Sequence, residues 1–341
     1  MPPLISIVIP ALNERGNIHE LERQLADSLD SLPYEFEYIV VDNGSSDGTD
    51  EAVKEICRRD PRWKYVGLSR NFGIDASITA GYRLASGDAI VVLYSDLQDP
   101  PQVIPAFLEK WREGYDVVYG VRTVRPGDAR WRNAAVNVVY RLIAALADVD
   151  IPRNAGDFRL ISRRVRDALN TCSEYNRYMR GLIAWLGFRQ TGVEYKRRPR
   201  AKGESKFSLG SLIAFALNAF TSFSIKPLRL FTVLGFALVG LSLLAVPIYI
   251  YLYLTEGAPQ GITTLIVLGL LGIGINSLGI GVLGEYLGRT YAETKRRPLY
   301  VIADSLNVTA EIMPVSGVAA SPDRSAKDLI EGRFGPPSTE T

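Results

Sequence analysis

The residues able to do chemistry in this chain are carboxylates, and they gather where apolar runs end. In "VVLYSDLQDPP" (91–101) the run Val91–Leu93 stops at Tyr94, and Asp96, Gln98 and Asp99 follow closely. Asn13 and Glu14 come just after "LISIVIP", and Asp42 and Asn43 end "EYIVVD". Magnesium and manganese take oxygen ligands and need only one or two carboxylates when phosphate oxygens complete the shell. Such clusters therefore suit a divalent cation, a phosphate-bearing ligand, or both. A partner carboxylate for Asp96 would sit two residues earlier, where the chain has Tyr94. Other acid–base groups are scarce. The one histidine, His19, lies in the polar stretch "NERGNIHELERQL", which reads as a solvated helix. The two cysteines, Cys57 and Cys172, form no CxxC pair, so neither a zinc site nor a disulfide framework is expected. With 39 basic and 37 acidic residues, the chain lacks the basic footprint of a nucleic-acid binder.

The elements that must position these groups follow from periodicity. Apolar runs at 4–10, 37–42, 63–69, 89–94 and 116–121 read as strands. Helical patterns at 16–31, 49–59, 72–85 and 101–113 lie between them. Strand and helix in turn imply an α/β domain with a mainly parallel sheet and helices on both faces, reaching to about residue 200. Ligands of such sheets bind beyond the carboxyl ends of the strands, where the polar residues gather. Asp47 and Thr49 in "GSSDGTDEA" read as a helix cap, and so does Asp99 before the next helix. The opening "PPLISIVIPALNE" lacks a basic leader and reads as a first strand rather than a signal peptide.

Two uncharged runs follow, 230–254 and 261–284. Either is long enough, at about 1.5 Å per residue, to cross a bilayer. They predict a transmembrane hairpin over 229–290. Lys226 and Arg229 precede it and Arg289, Lys295, Arg296 and Arg297 follow it, so the positive-inside rule predicts a multi-pass protein of the inner or plasma membrane, with both termini cytoplasmic. Small-xxx-small spacings, Ser277 to Gly281 and Gly284 to Gly288, suggest a homo-oligomer through glycine-rich faces. The segments 131–148 and 207–225 read as interfacial helices, the second within a juxtamembrane region, 201–228. The C-terminal segment 291–341 is expected to be disordered from about residue 304.

"VVDNGSSDGT", "SRNFGIDASITAGYRLASGDAIVVLYSDLQDPP", "VVYGVR", "GDFRLISRRV" and "KGESKFSL", in this order and followed by the hairpin, resemble the motif series of glycosyltransferase family 2. The likeness covers roughly residues 4 to 295 and is greatest to the branch that loads polyprenyl phosphate, to which dolichyl-phosphate mannose synthases and bactoprenol glucosyltransferases belong. It implies a GT-A fold, an inverting mechanism and Mg2+ or Mn2+ as cofactor. Matched by position, Pro10, Asn13 and Glu14 would line the nucleotide pocket, and Asp42 would contact base or ribose. Asp96 would be a metal ligand with Gln98 as its companion, and Asp157 the catalytic base. Arg122, Arg200, Ser205 and Lys206 would hold phosphates. The departure is Tyr94, where the family pattern has aspartate.

The function so implied is transfer of a sugar, glucose from UDP-glucose in the first instance, onto polyprenyl (undecaprenyl) phosphate at the cytoplasmic face of a membrane. The expected partners are a nucleotide-diphosphate sugar, polyprenyl phosphate and membrane lipid, without nucleic acid. A GDP-mannose-dependent mannosyltransferase is the nearest alternative. A transporter or flippase for lipid-linked sugars is an alternative of another class, although two spans are few for it. A nucleotide-sugar sensor without turnover is a third. A processive polysaccharide synthase is disfavoured, because the chain lacks a QxxRW motif.

Overall fold

The computed structural model describes residues 2–123, 155–175, 177–197, 226–256 and 261–308. The alternation seen in the sequence is realised as β1 (Leu4–Ala11), α1 (Arg15–Leu29), β2 (Glu35–Asp42), α2 (Thr49–Arg59), β3 (Trp63–Leu68), α3 (Ile74–Leu84) and β4 (Ala89–Val92). A 3-10 turn, Pro101–Val103, then leads into α4 (Ile104–Arg112), followed by β5 (Val117–Arg122). Strands β4, β1, β2 and β3 run side by side and parallel. They are apolar along their length because both faces are covered. Ile5, Ile7 and Ile9 pack with Leu21, Leu25, Val53, Ile56 and Phe107 from α1, α2 and α4. Val8, Ile39, Val41, Ile90 and Val92 pack on the other face with Ile78 and Tyr82 of α3.

Three strands are absent from the sequence reading: β6 (Ala155–Ser162), β7 (Gln190–Tyr195) and β8 (Ile302–Leu306). β6 inserts antiparallel between β4 and β5, and β7 pairs parallel with β5. The sheet order is β7-β5-β6-β4-β1-β2-β3-β8, so a parallel centre is flanked by mixed pairing. Charged Asp157 and Arg159 hide β6 from an apolar-run search, and β7 alternates polar residues along an edge. Helices α5 (Arg163–Thr171) and α6 (Met179–Trp185) follow β6 and join the α3 face through Val165, Leu169, Leu182 and Ile183.

The expectation of disorder from about residue 304 is corrected by β8. This strand pairs antiparallel with β3, and Asp304 forms an ion pair with Lys54 at 2.7 Å. Asn307 Nδ2 donates to the carbonyls of Cys57 and Trp63 at 2.7 and 2.9 Å. A short polar edge strand needs only one row of backbone partners, which composition does not reveal. The remaining tail, the segments 131–148 and 207–225, and Arg200, Ser205 and Lys206 lie outside the described residues.

The two uncharged runs fall within long helices, α7 (Lys226–Glu256) and α8 (Ile262–Thr294). Among the described residues no helix is long and apolar enough to cross a membrane. Several side chains of both helices lie outside that description, and the sequence 230–254 carries no charge. The last turn of α8 meets the α/β domain, where Glu293 Oε1 accepts the backbone N–H of Tyr175 at 2.7 Å.

Helix α3 lies directly against β1 because residue 81 is glycine. A Cβ there would lie 2.1 Å from Val8 Cγ1. Gly81→Ala is expected to cost about 1–3 kcal/mol, as overpacking does, read as a lower unfolding midpoint. Gly16→Ala, which meets open space, is the control and should not lower it.

Candidate active site

The loops beyond the carboxyl ends of β1, β2 and β4 enclose a cleft of about 370 Å³, lined by Pro10, Glu14, Asn43, Tyr94, Asp96 and Arg197 among others. That volume lies within the usual span of small-molecule sites. Behind it, a set of side chains ties one strand-end loop to the next. Asp42 is buried; its Oδ1 accepts the Ser45 backbone N–H at 3.0 Å and the Ser45 hydroxyl, and its Oδ2 accepts from Tyr65 at 3.4 Å. Asn13, at φ 56°, donates its N–H to Ser45 Oγ and accepts from the Ser46 N–H, both at 2.9 Å. Asp42 and Asn13 therefore build the turn behind the cleft; neither is part of its described lining, whereas Pro10 and Glu14 are. Asp47 and Thr49 serve the turn rather than the cap position, which Gly48 occupies: Asp47 accepts the Thr49 and Arg15 N–H groups at 3.0 and 3.1 Å. Gly44 has φ 76°, and a Cβ there would sit 2.8 Å from the Arg70 carbonyl carbon.

The "SDLQDPP" turn closes the far side. Ser95 Oγ donates to the Pro10 carbonyl at 3.0 Å. Leu97 is held at φ 60°, a left-handed conformation that costs a branched L-residue energy and marks a turn fixed by its surroundings. Asp96 Oδ1 accepts the Gln98 N–H at 3.1 Å, and Asp96 Oδ2 lies 3.8 Å from Arg197 Nη2. Gln98 is 6% exposed and is not part of the described cleft lining, so the structure places its backbone, rather than its amide, in support of Asp96.

Asp99 is not a helix cap. Pro100 and Pro101 lack the N–H groups a cap would bind, and the carboxylate is fully buried instead. Its Oδ1 accepts the Tyr195 hydroxyl at 2.5 Å and lies 3.3 Å from Arg197 Nε. Its Oδ2 lies 3.9 Å from Arg122 Nη2 and has no hydrogen-bond partner among the described residues. Arg122 also donates to Tyr195 at 3.3 Å and passes over Gly156, where a Cβ would stand 2.7 Å from its Nη2. Burial works against the charge on Arg122, but Tyr195 and Asp99 outweigh it and raise its pKa.

Asp157 forms a second buried anchor. Arg180, from α6, grips it with two bonds: Nε to Oδ1 at 2.7 Å and Nη2 to Oδ2 at 2.6 Å. Tyr94 donates to the same Oδ2 at 2.7 Å. Burial alone would raise the Asp157 pKa. The Arg180 bonds and charge, the Arg159 charge and the Tyr94 bond overcome that and hold it well below the usual carboxylate range. Burial and Asp157 together push the Tyr94 phenol far up. The bonds that hold Asp157 thus come from Arg180, while Arg159 donates to the Gly156 carbonyl at 2.8 Å.

A divalent cation fits this donor set. Among the described residues no group of three His, Cys, Asp or Glu side chains could hold a metal. Asp96 Oδ2 is one carboxylate oxygen at the cleft, which suffices when a diphosphate supplies further oxygens. Tyr94 faces Asp157 and adds no ligand. The sequence reading missed Arg197, Arg180 and Tyr195. Arg197 belongs to the basic run "YKRRPR", whose clustered charge was the available signal, and nothing in the spacing of Arg180 marks it.

Asp75, at the start of α3, accepts the Met179 N–H at 3.4 Å, and burial followed by the Asp157 charge pushes its carboxyl up to about 6. An acid with a raised folded-state pKa stabilises below its unfolded value, and that contribution is lost as pH rises through 6. Asp75→Asn is therefore expected to unfold at a higher temperature than the wild type at pH 8. The difference should close as pH falls to about 4, near the unfolded value. A pH-independent difference between the two would contradict this reading.

Residues 6–169 match the model of the family described as "Glycosyl transferase family 2". The uncharacterized glycosyltransferase YkcC of Bacillus subtilis is 43% identical over 89% of this chain and 94% of its own length. The bactoprenol glucosyl transferase of Shigella phage SfII is 38% identical over 88% of this chain and 98% of its own. A prophage bactoprenol glucosyl transferase homolog of Escherichia coli K12 is 36% identical over 87% and 98%. Among solved structures, glucosyl-3-phosphoglycerate synthase of Mycobacterium tuberculosis aligns with a TM-score of 0.45 at 21% identity, covering 64% of this chain and 76% of that one. With curated relatives of 36–43% identity spanning 87–89% of its length, the chain belongs to glycosyl transferase family 2 and is a glycosyltransferase.

Proposed function

We propose that this glycosyltransferase moves glucose from UDP-glucose to the phosphate of a polyprenyl phosphate, with inversion, at the cytoplasmic face of a membrane. The observation that carries the reading is the cleft itself: one carboxylate, Asp96, and an arginine, Arg197, meet at the strand ends, with Arg122 beside them on Asp99. That pairing suits a cation-bound diphosphate. The choice of lipid acceptor and of glucose is supported by the relatives named bactoprenol glucosyl transferase, which align along 87–88% of this chain, hairpin included. Membrane attachment is supported by helices of 31 and 33 residues whose apolar side chains stand outward, among them Phe236, Leu241, Leu244 and Leu268. The basic residues at both outer ends of the hairpin support a cytoplasmic α/β domain. A Cβ added at Gly281, Gly284 or Gly288 would meet no other part of the described chain within 4 Å, which leaves room there for a second copy.

The proposed reaction is one displacement. A phosphate oxygen of the lipid forms a bond to the anomeric carbon as the bond from that carbon to the diphosphate breaks, and the electron pair leaves with the nucleotide. Arg197 and Arg122, set by Asp99, bind and orient the diphosphate through forked N–H groups. A magnesium or manganese ion held by Asp96 and phosphate oxygens would supply charge neutralisation for the leaving group. A phosphate monoester has a second pKa near 6 and is largely ionised at neutral pH, so the nucleophile needs no strong base. Asp157 is already an anion locked by Arg180 and Tyr94. We therefore assign it a positioning role, joining β4 to α6 at the rim of the cleft.

Two experiments test this. Radiolabelled UDP-glucose, GDP-mannose and an amino-sugar donor are each incubated with polyprenyl phosphate and the full-length protein in detergent. Organic-phase label is expected from UDP-glucose, and a chelator should abolish it. Label from GDP-mannose instead would redirect the donor, and donor binding without product would favour a sensor. In the pH–rate profile, the acid limb near pH 6 is expected to persist in Asp157→Asn, because it belongs to the acceptor phosphate. Its disappearance would make Asp157 the base.

A further inference from the structure

The "DLQD" turn carries its own counter-cation. Arg197 lies two residues beyond the end of β7, and its guanidinium spans two carboxylates: Nη2 is 3.8 Å from Asp96 Oδ2, and Nε is 3.3 Å from Asp99 Oδ1. Asp96 Oδ1 already accepts the Gln98 N–H, so Oδ2 is the oxygen available to a cation, and it is the oxygen that faces Arg197. Tyr94, where the family pattern has a further carboxylate, turns its hydroxyl to Asp157 instead. A divalent cation at Asp96 Oδ2 would meet a guanidinium at close range, and like charges on one carboxylate oppose each other. A donor diphosphate reverses this balance. It offers anionic oxygens that match the forked donors of arginine, so the guanidinium gains a partner and the cation gains ligands together.

We infer that Arg197 is the residue that makes metal binding at Asp96 depend on the donor: its guanidinium guards the carboxylate until a diphosphate arrives to receive it. This rests on the reading of the cleft as a site for a cation-bound nucleotide diphosphate. The coupling is reciprocal, since whatever the diphosphate does for the metal, the metal does for the diphosphate. Asp99, fully buried, supplies the fixed point about which the arginine works.

The test is Mn2+ binding to the full-length protein in detergent, followed by electron paramagnetic resonance, with and without UDP, and with GDP in parallel. A protein-free titration accounts for the Mn2+–nucleotide complex. In the wild type, nucleotide is expected to tighten Mn2+ by about tenfold or more, an ordinary size for coupling between two ligands. Arg197→Gln should bind Mn2+ alone about tenfold more tightly than the wild type, and nucleotide should then tighten it less than in the wild type, by the phosphate ligands alone. Arg197→Lys keeps the charge and should keep the weak binding of Mn2+ alone. Equal Mn2+ affinity of wild type and Arg197→Gln without nucleotide would overturn the inference. Asp96→Asn with nucleotide separates the two levels. Loss of Mn2+ binding upholds the cation site, whereas retained binding removes that reading and the inference with it.

Discussion

A carboxylate taken out of water must be paired, and the candidate site is organised by two that are. Asp99 and Asp157 sit at the carboxyl edge of the sheet, at 0% and 8% exposure. Leaving either charge uncompensated would cost several kcal/mol, about 3–5 when one partner of a buried pair is removed. The need for compensation dictates what surrounds them. Asp99 draws Arg122 from the end of β5 and Tyr195 and Arg197 from the end of β7. Asp157 draws Arg180 from α6 and Tyr94 from the end of β4. The guanidinium of Arg197, which lines the cleft, is thereby held from below before any ligand arrives. Preorganised charge of this kind acts where a leaving group accumulates negative charge.

The same constraint explains what could and could not be seen in the sequence. The parallel centre was legible because doubly covered strands are unbroken apolar runs, and β1 to β5 and α1 to α4 appear close to their expected limits. The convergence of Pro10, Glu14, Asn43 and Asp96 was legible too, because strand ends in such a sheet face one side. β6 was not, since it carries the buried Asp157 and Arg159, and a charged pair inside a strand looks like a loop to any hydropathy count. Asp99 was misjudged for a related reason. An aspartate ahead of a helix is ordinarily a solvated cap, and only the contacts of Arg122 and Arg197 reveal it as a buried hub. Arg180 and Tyr195 pair with residues 23 and 96 positions away, and no local pattern announces such partners.

Tyr94 shows how one substitution redistributes duties. A carboxylate at that position would sit near Asp157 and add to the negative charge that burial already opposes. A phenol instead donates to Asp157 and reinforces it. The phenol that strengthens the anchor offers no carboxylate to a cation, which at the proposed site would rely on Asp96. At the proposed site, metal affinity would then be a property of the enzyme and donor together.

Strand β8 has a consequence for how the protein is made. It joins β3 only after α7 and α8 have been synthesised, and Asn307 then locks it to Cys57 and Trp63 carbonyls near the far end of α2 and the start of β3. If the hairpin crosses a bilayer as proposed, residues 300–308 reach the sheet only when both helices have crossed and the chain has returned to its starting side. A chain that inserted once and stopped would leave the β3 edge open and Tyr300 without its buried seat. Completion of the catalytic sheet would then act as a built-in check on membrane topology: a wrongly threaded copy carries an unfinished domain, open to proteolysis and unable to pass as mature.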